Sequence, residues 1–223
     1  MHADTFVVIA AFNEGKVVRG VVEGVVAAGY PTVVVDDGSC DDTAAAAGRV
    51  PGVTVVRHAI NRGQGAALQT GIDYAVRRGA RTIVTFDADG QHSVEDIPTL
   101  VDALADADMA LGSRFLGKDA EGASRGRKAL LRTATVVSNS MSGLSLTDAH
   151  CGLRAFRASV ADRIRITQDR MAHASELLRL IQRAKLRVVE VPVTIRYTDH
   201  SRAKGQGALQ AVRILFDYFF RAK

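Results

Sequence analysis

The chain has 223 residues, 47% hydrophobic and 24% charged, which suits a globular protein with a real core and excludes a disordered or fibrous one. The net charge of +5 comes with 5% aromatics, no Trp and no DNA- or RNA-binding motif, so nucleic acid is not the expected partner. Met1-His2-Ala3-Asp4 does not read as a signal peptide. No apolar run approaches the ~20 residues of a membrane helix. Cys40 and Cys151 form no CxxC pair, which suggests a reducing compartment rather than a disulfide scaffold.

Thr5–Ala11 reads as the first strand, broken at Phe12-Asn13-Glu14-Gly15. Val17, Val18, Val21, Val22, Val25 and Val26 then recur at helical spacing, and Gly29-Tyr30-Pro31 stops that helix. Thr32–Val35 is a second strand ending in Asp36-Asp37-Gly38-Ser39. Asp41-Asp42-Thr43 is suited to cap a short Ala-rich helix. Val53–Val56 is a third strand, and the loop Asn61-Arg62-Gly63-Gln64-Gly65 opens a helix over 66–78. Ile83–Phe86 is a fourth strand, ending in Asp87-Ala88-Asp89-Gly90-Gln91. Ser93 followed by Asp96 resembles a capping box for a helix through Asp106, and Met109–Gly112 is a fifth strand. Strands alternating with helices predict an α/β fold, a doubly wound, mostly parallel, Rossmann-like sheet in one domain.

The second half is less regular. Residues 117–128 are rich in Gly, Ser and Arg. Helices are expected over 128–141 and 171–184, and the polar turn 146–154 runs into a strand. A last strand, 187–193, carries Pro192 and so belongs at an edge. A basic loop with Arg202 and Lys204 precedes a terminal helix bearing Leu209, Val212, Leu215, Phe216, Phe219 and Phe220 on one side. That helix is suited either to the core or to a membrane surface.

In doubly wound sheets ligands bind beyond the C-terminal strand ends. Asn13, Glu14, Asp36, Asp37, Arg62, Asp87 and Asp89 all follow strands directly. Asp87 and Asp89 point the same way along an extended chain, so they repel unless a cation lies between them. Hard ions such as Mg²⁺ or Mn²⁺ take oxygen ligands and grip a diphosphate, and Gln91 adds a carbonyl oxygen. The rival reading is a polar turn at Asp89-Gly90. Asp36 and Asp37 suit a tight turn or hydrogen bonds from a nucleobase or ribose. Residues 1–112 carry 8 Lys+Arg against 15 Asp+Glu, a net −7, and residues 113–223 carry 21 against 9, a net +12. One half is thus matched to cations and the other to anions. Arg114, Arg125, Arg127, Lys128 and Arg132 are either a solvated face or an anion grip, a theme Arg202 and Lys204 repeat. His173 on an apolar helix reads as structural, and His150 beside Cys151 lacks the spacing of a zinc site. Glu176, one turn from His173, is open as a base or as a partner that orients an arginine.

Gly63-Gln64-Gly65 lacks the third glycine of a dinucleotide fingerprint, and no GxxxxGK[ST] occurs. Ala11-Phe-Asn-Glu14, Val35-Asp-Asp-Gly-Ser39, Asn61-Arg-Gly-Gln-Gly-Ala-Ala-Leu68, Asp87-Ala-Asp-Gly-Gln-His92 and Gly112-Ser-Arg-Phe115 follow one another as in family 2 glycosyltransferases. The chain most resembles the dolichyl-phosphate mannose synthase and bacterial polyprenyl-phosphate branch. Thr147–Phe156, Met171–Glu176 and Tyr197–Gln206 extend the resemblance across nearly the whole chain. It departs at Ala10-Ala11, where relatives often have proline, and at Cys151, where close relatives often have asparagine. The resemblance implies a GT-A fold and inverting transfer from a GDP- or UDP-linked sugar to polyprenyl phosphate. Asn13, Glu14, Asp36, Asp37, Ser39, Arg62 and Gly65 would hold the donor, and Asp87, Asp89 and Gln91 the Mg²⁺ or Mn²⁺ ion. Arg114, Arg127, Arg132, Arg202 and Lys204 would face the acceptor phosphate. A hydroxyl acceptor would instead require a base, Glu176 or Asp148. The rival readings are a transferase with a soluble acceptor and a non-catalytic sugar-nucleotide-binding subunit. A lipid acceptor places the protein in the cytoplasm at the inner face of the membrane, held by its basic face, its terminal helix or a separate membrane partner. Sugar, nucleobase and oligomeric state are not legible.

Overall fold

A computed structural model describes residues 2–116, 125–169 and 172–196. Its strands are β1 (Thr5–Ala11), β2 (Thr32–Asp36), β3 (Val53–Arg57), β4 (Thr82–Asp87), β5 (Met109–Ser113), β6 (Arg154–Arg157) and β7 (Val188–Pro192). Its helices are α1 (Val18–Ala27), α2 (Thr43–Gly48), α3 (Gln64–Arg77), α4 (Ile97–Asp102), α5 (Arg125–Ser142) and α6 (His173–Arg183). Arg202, Lys204 and the expected terminal helix lie outside the described residues, as do the side chains of Arg125 and Arg127.

The strands form one sheet in the order β3-β2-β1-β4-β6-β5-β7. β1, β2, β3 and β4 are mutually parallel, as are β5 and β7. β6 runs antiparallel between β4 and β5. β7, with its Pro192, lies at the sheet's edge as its sequence requires, because proline cannot donate to a ladder on both sides.

Alternation along each strand divides the core in two. Val7 and Ile9 of β1 face one layer with Val18, Val22 and Val25 of α1 and Ile97 and Leu100 of α4. Val8 faces the other with Ala67, Leu68 and Ile72 of α3 and Leu177 and Ile181 of α6. Near-continuous Val and Ile runs are what a sheet covered on both faces demands.

Of two expected caps, the one at Ser93 does not form and the one at Asp41-Asp42-Thr43 is made by Asp41. The helix predicted over 93–106 is broken into a 3₁₀ turn (Val94–Asp96), α4 and a second 3₁₀ turn (Ala103–Ala105). Ser93 makes no side-chain cap, and Asp96 instead accepts the Thr194 amide at 2.7 Å. That bond, a bridge between His92 and Ile195 and an Arg196 amide donated to the Gln91 carbonyl draw the segment after β7 across the end of β4. Asp42 also makes no side-chain cap on α2, where Asp41 takes the Thr43 amide at 3.0 Å.

Phe156 of β6 pairs with Ile83 and Met109 and is 1% exposed. Phe156→Ala should therefore cost about 3–5 kcal/mol in urea denaturation, through lost transfer energy and the cavity left behind.

Candidate active site

The loops after β1 and β2 are built from each other. The Asn13 amide donates to Ser39 Oγ at 2.9 Å, and Asn13 Oδ1 accepts the Cys40 amide at 2.9 Å. The Glu14 amide donates to Thr43 Oγ1 at 2.8 Å. Asp36, with no side-chain exposure, accepts the Ser39 amide at 3.1 Å and lies 3.0 Å from Arg57 Nε. Asp37 Oδ1 accepts the Arg62 amide at 3.0 Å, and Oδ2 accepts the Gly63 amide at 2.6 Å. His58 Nδ1 lies 2.7 Å from Asp37 Oδ1, while His58 Nε2 is 2.9 Å from Thr70 Oγ1. Asp36, Asp37, Ser39 and the Asn13 side chain, expected at the donor, are thus each bonded within the protein. Their polar atoms are turned into the protein, where they fix the floor and the Arg62–Gly63 corner. Arg57 and His58, which sequence reasoning missed, decide this by supplying the partners.

At the end of β4 the structure gathers Asp87, Asp89 and Gln91. Asp87 Oδ2 lies 2.8 Å from His92 Nε2, and Asp87 Oδ1 accepts from Gln64 Nε2 at 3.3 Å. His92 is packed edge-on against Phe86 with centroids 5.3 Å apart. Gly152 closes the third side: a Cβ there would stand 2.3 Å from Asp87 Oδ2. Asp87 still keeps 31% of its side chain exposed. Asp89 accepts the Gln91 amide at 3.0 Å and the Gln91 side chain at 2.5 Å.

Electrostatics drive the two carboxyls apart. Burial works to raise Asp87, but the charge and hydrogen bond of His92, then Arg154 and His173, hold it below the usual carboxylate range. Burial, and then repulsion from Asp87, pushes Asp89 up. Charge that is costly here is what a bound divalent cation relieves, and the donor set is all oxygen. The residues therefore fit Mg²⁺ or Mn²⁺. Among the described residues no three His, Cys, Asp or Glu side chains cluster to hold a metal, which leaves part of any coordination shell to Gln91 and to ligand oxygens.

Across the sheet lies Arg114, just past β5. It is 8% exposed, and its Nε and Nη2 fork onto Asp148 at 2.5 and 2.7 Å. Asp148 is set in turn by Glu190 of β7, whose carboxylate accepts the Thr147 amide at 2.7 Å and the Asp148 amide at 3.0 Å. Burial works to raise Asp148, and the Arg114 fork overcomes it and holds the carboxyl low. Phe115 collects the cations: the guanidinium carbons of Arg114 and Arg132 lie 5.9 and 5.2 Å from its ring centroid.

Residues 6–165 match the family model for glycosyl transferase family 2. The chain is a family 2 glycosyltransferase. It is 36% identical over 222 residues to an uncharacterized protein of Methanocaldococcus jannaschii, covering 96% of this chain and 90% of that one. It is 34% identical to the polyprenol monophosphomannose synthase of Mycolicibacterium smegmatis, covering 92% and 82%. Glucosyl-3-phosphoglycerate synthase from Mycobacterium tuberculosis, solved with Mn²⁺, UDP and glucosyl-3-phosphoglycerate, superposes with a TM-score of 0.70. That likeness, at 18% identity over 97% of this chain and 80% of the other, is one of GT-A fold.

Other expected site residues of the glycosyltransferase also have partners within the protein. The oxygens of Glu176 accept the Thr167 amide at 3.0 Å, the Gln168 amide at 2.8 Å and the Thr167 hydroxyl. Glu176 thereby holds residues 167–168 over the first turn of α3, where a Cβ on Gly65 would lie 2.0 Å from the Gln168 carbonyl oxygen. Gly65 is thus fixed as glycine by packing. Arg62 is 54% exposed and 3.9 Å from Asp169, beside a 240 Å³ polar cavity it shares with Arg165 and Asp73. Burial pushes the Cys151 thiol up to about 12, so it supplies no thiolate at neutral pH.

The Arg114–Asp148 pair gives a pH-dependent prediction. Asp148→Asn should lose about 3–5 kcal/mol at pH 7 in urea titrations, because it strands a buried guanidinium. The folded carboxyl is depressed, so wild type's advantage is present above the unfolded value near ~3.9 and fades as pH falls further. The deficit should narrow between pH 7 and pH 3.

Proposed function

We propose that this glycosyltransferase moves a sugar from a nucleoside-diphosphate donor, with inversion and with a divalent metal, to a polyprenyl phosphate. The observation that carries the reading is the state of its two candidate bases. Asp148 is ion-paired to Arg114, and Glu176 is saturated by Thr167 and Gln168. A hydroxyl acceptor needs a base, whereas a lipid phosphate is already anionic at neutral pH. The name of the 34% identical mycobacterial relative supports the same acceptor class.

In this reading Asp87, Asp89 and Gln91 hold Mg²⁺ or Mn²⁺, in line with the Mn²⁺ and UDP of the fold neighbour. When bound, the ion neutralises charge developing on the leaving diphosphate. His92, Gln64 and Gly152 keep Asp87 aimed. Arg114 and Arg132, gathered at Phe115, position the acceptor phosphate against the donor's like charge. Arg127, Arg202 and Lys204 are proposed to extend that grip. Glu14 and the loops fixed by Asp36 and Asp37 receive the nucleoside, GDP- or UDP-linked.

Lipid access fits peripheral attachment at the inner membrane face, directly or through a membrane partner. No helix among the described residues is long and apolar enough to cross a membrane. On α5, Val136 is 67% and Met141 40% exposed on the helix that carries Arg132, a pattern suited to a phospholipid surface.

Incubating membranes with radiolabelled GDP- and UDP-sugars tests the acceptor: label should enter the lipid extract, and label confined to the aqueous phase would favour a soluble acceptor. Asp89→Asn should lower the Mn²⁺-dependent rate at least ~100-fold. It should also remove the thermal stabilisation that Mn²⁺ plus donor confers on wild type by mass action. Full activity in that variant would overturn the metal assignment.

A further inference from the structure

Arg154 is one of the charges that hold Asp87 low. It opens β6, opposite Thr85 of β4 and Leu111 of β5. Because β6 runs antiparallel, its first residue lies at the end of the sheet where β4 and β5 finish. Two residues on, Phe156 lies in the core layer that also holds Ile83 and Met109. Arg154 shares that face and stands above them. It is 5% exposed, yet among the described residues its guanidinium donates no hydrogen bond. The groups that act on its charge are the neighbouring Cys151 thiol, then the Asp87 and Asp148 carboxylates and the Arg114 guanidinium.

A guanidinium carries five donors in a fixed fork, and burying it without partners is costly. Two other arginines beside this sheet are paired: Arg114 forks onto Asp148, and the Arg157 side chain donates to the Ala107 carbonyl at 3.3 Å. Arg154 lies between the acidic end of β4 and the Arg114–Asp148 pair with its donors unspent. A tetrahedral oxyanion lodged there would meet a fork matched to two of its oxygens.

We propose that Arg154 is an oxyanion-binding residue, taking phosphate oxygens at the point where the donor's diphosphate and the acceptor's phosphate meet. This rests on the glycosyl-transfer reading for the identity of the two phosphates, but not for the oxyanion site itself. Both sources present the same chemistry, and the test tells them apart.

The test compares wild type with Arg154→Met and Arg154→Lys. Replacing a buried, unpaired cation with an apolar side chain of similar length should leave the melting temperature unchanged or raised. Binding is read by calorimetry with Mn²⁺ plus UDP, Mn²⁺ plus GDP and inorganic pyrophosphate, and KM is read with farnesyl phosphate as a short acceptor. A diphosphate contact predicts at least ~10-fold weaker nucleoside diphosphate and pyrophosphate binding in Arg154→Met, with partial recovery in Arg154→Lys. An acceptor contact predicts unchanged calorimetry and at least ~10-fold higher KM for farnesyl phosphate. Folded Arg154→Met with binding, KM and kcat all within twofold of wild type would overturn the proposal. So would a lower melting temperature in both variants with unaltered binding in the folded fraction. If wild type does not use farnesyl phosphate but Arg154→Met still loses pyrophosphate binding, the lipid-acceptor reading falls and the oxyanion site stands.

Discussion

Two carboxylates on one strand end cannot both be ionised and close without something to oppose their repulsion. The end of β4 is arranged around that constraint. Asp87 is immobilised and kept ionised by His92, Gln64 and Gly152, while Asp89 is left to carry the electrostatic load. The asymmetry matters more than the motif. An Asp-x-Asp in a flexible turn would relax by swinging one side chain away, and here the packing prevents it. Even the segment after β7 contributes, since it crosses this loop at His92 and Gln91.

The opposite side is held by a relay of a different kind. Glu190 on the edge strand fixes the backbone of Thr147 and Asp148, Asp148 fixes Arg114, and Phe115 collects the neighbouring Arg132. Each of these contacts orders the group that orders the next. Bidentate geometry gives direction as well as energy. A side chain on the edge strand thereby sets the position of a cation at the end of the strand beside it.

Much of this was legible in the sequence. Short Val- and Ile-rich runs located β1 to β4, the apolar run Met109-Ala-Leu located β5, and Pro192 placed β7 at an edge. The pairing of Asp87 with Asp89 followed from strand geometry. β6 was not readable as an antiparallel insertion, because Arg154-Ala-Phe-Arg157 is four residues with a charge at each end. Nor was the inward turn of Asp36, Asp37 and Glu176. Whether a carboxylate lines a crevice or braces a loop depends on partners distant in sequence, and Arg57, His58 and Thr167 supply them. A motif shared with a family locates such a residue without saying which way it points.

The reversed strand has a geometric consequence. β4 ends in the carboxylates and β5 leads into the arginine, yet the two are not neighbours, because β6 lies between them. Adjacent strands are ~4.8 Å apart, so this insertion sets the negative and positive termini roughly 10 Å apart. On adjacent strands the opposite charges would collapse onto each other and leave no vestibule. β6 acts as a shim: it holds the two oppositely charged strand ends a double strand spacing apart, a span comparable to a few phosphate groups.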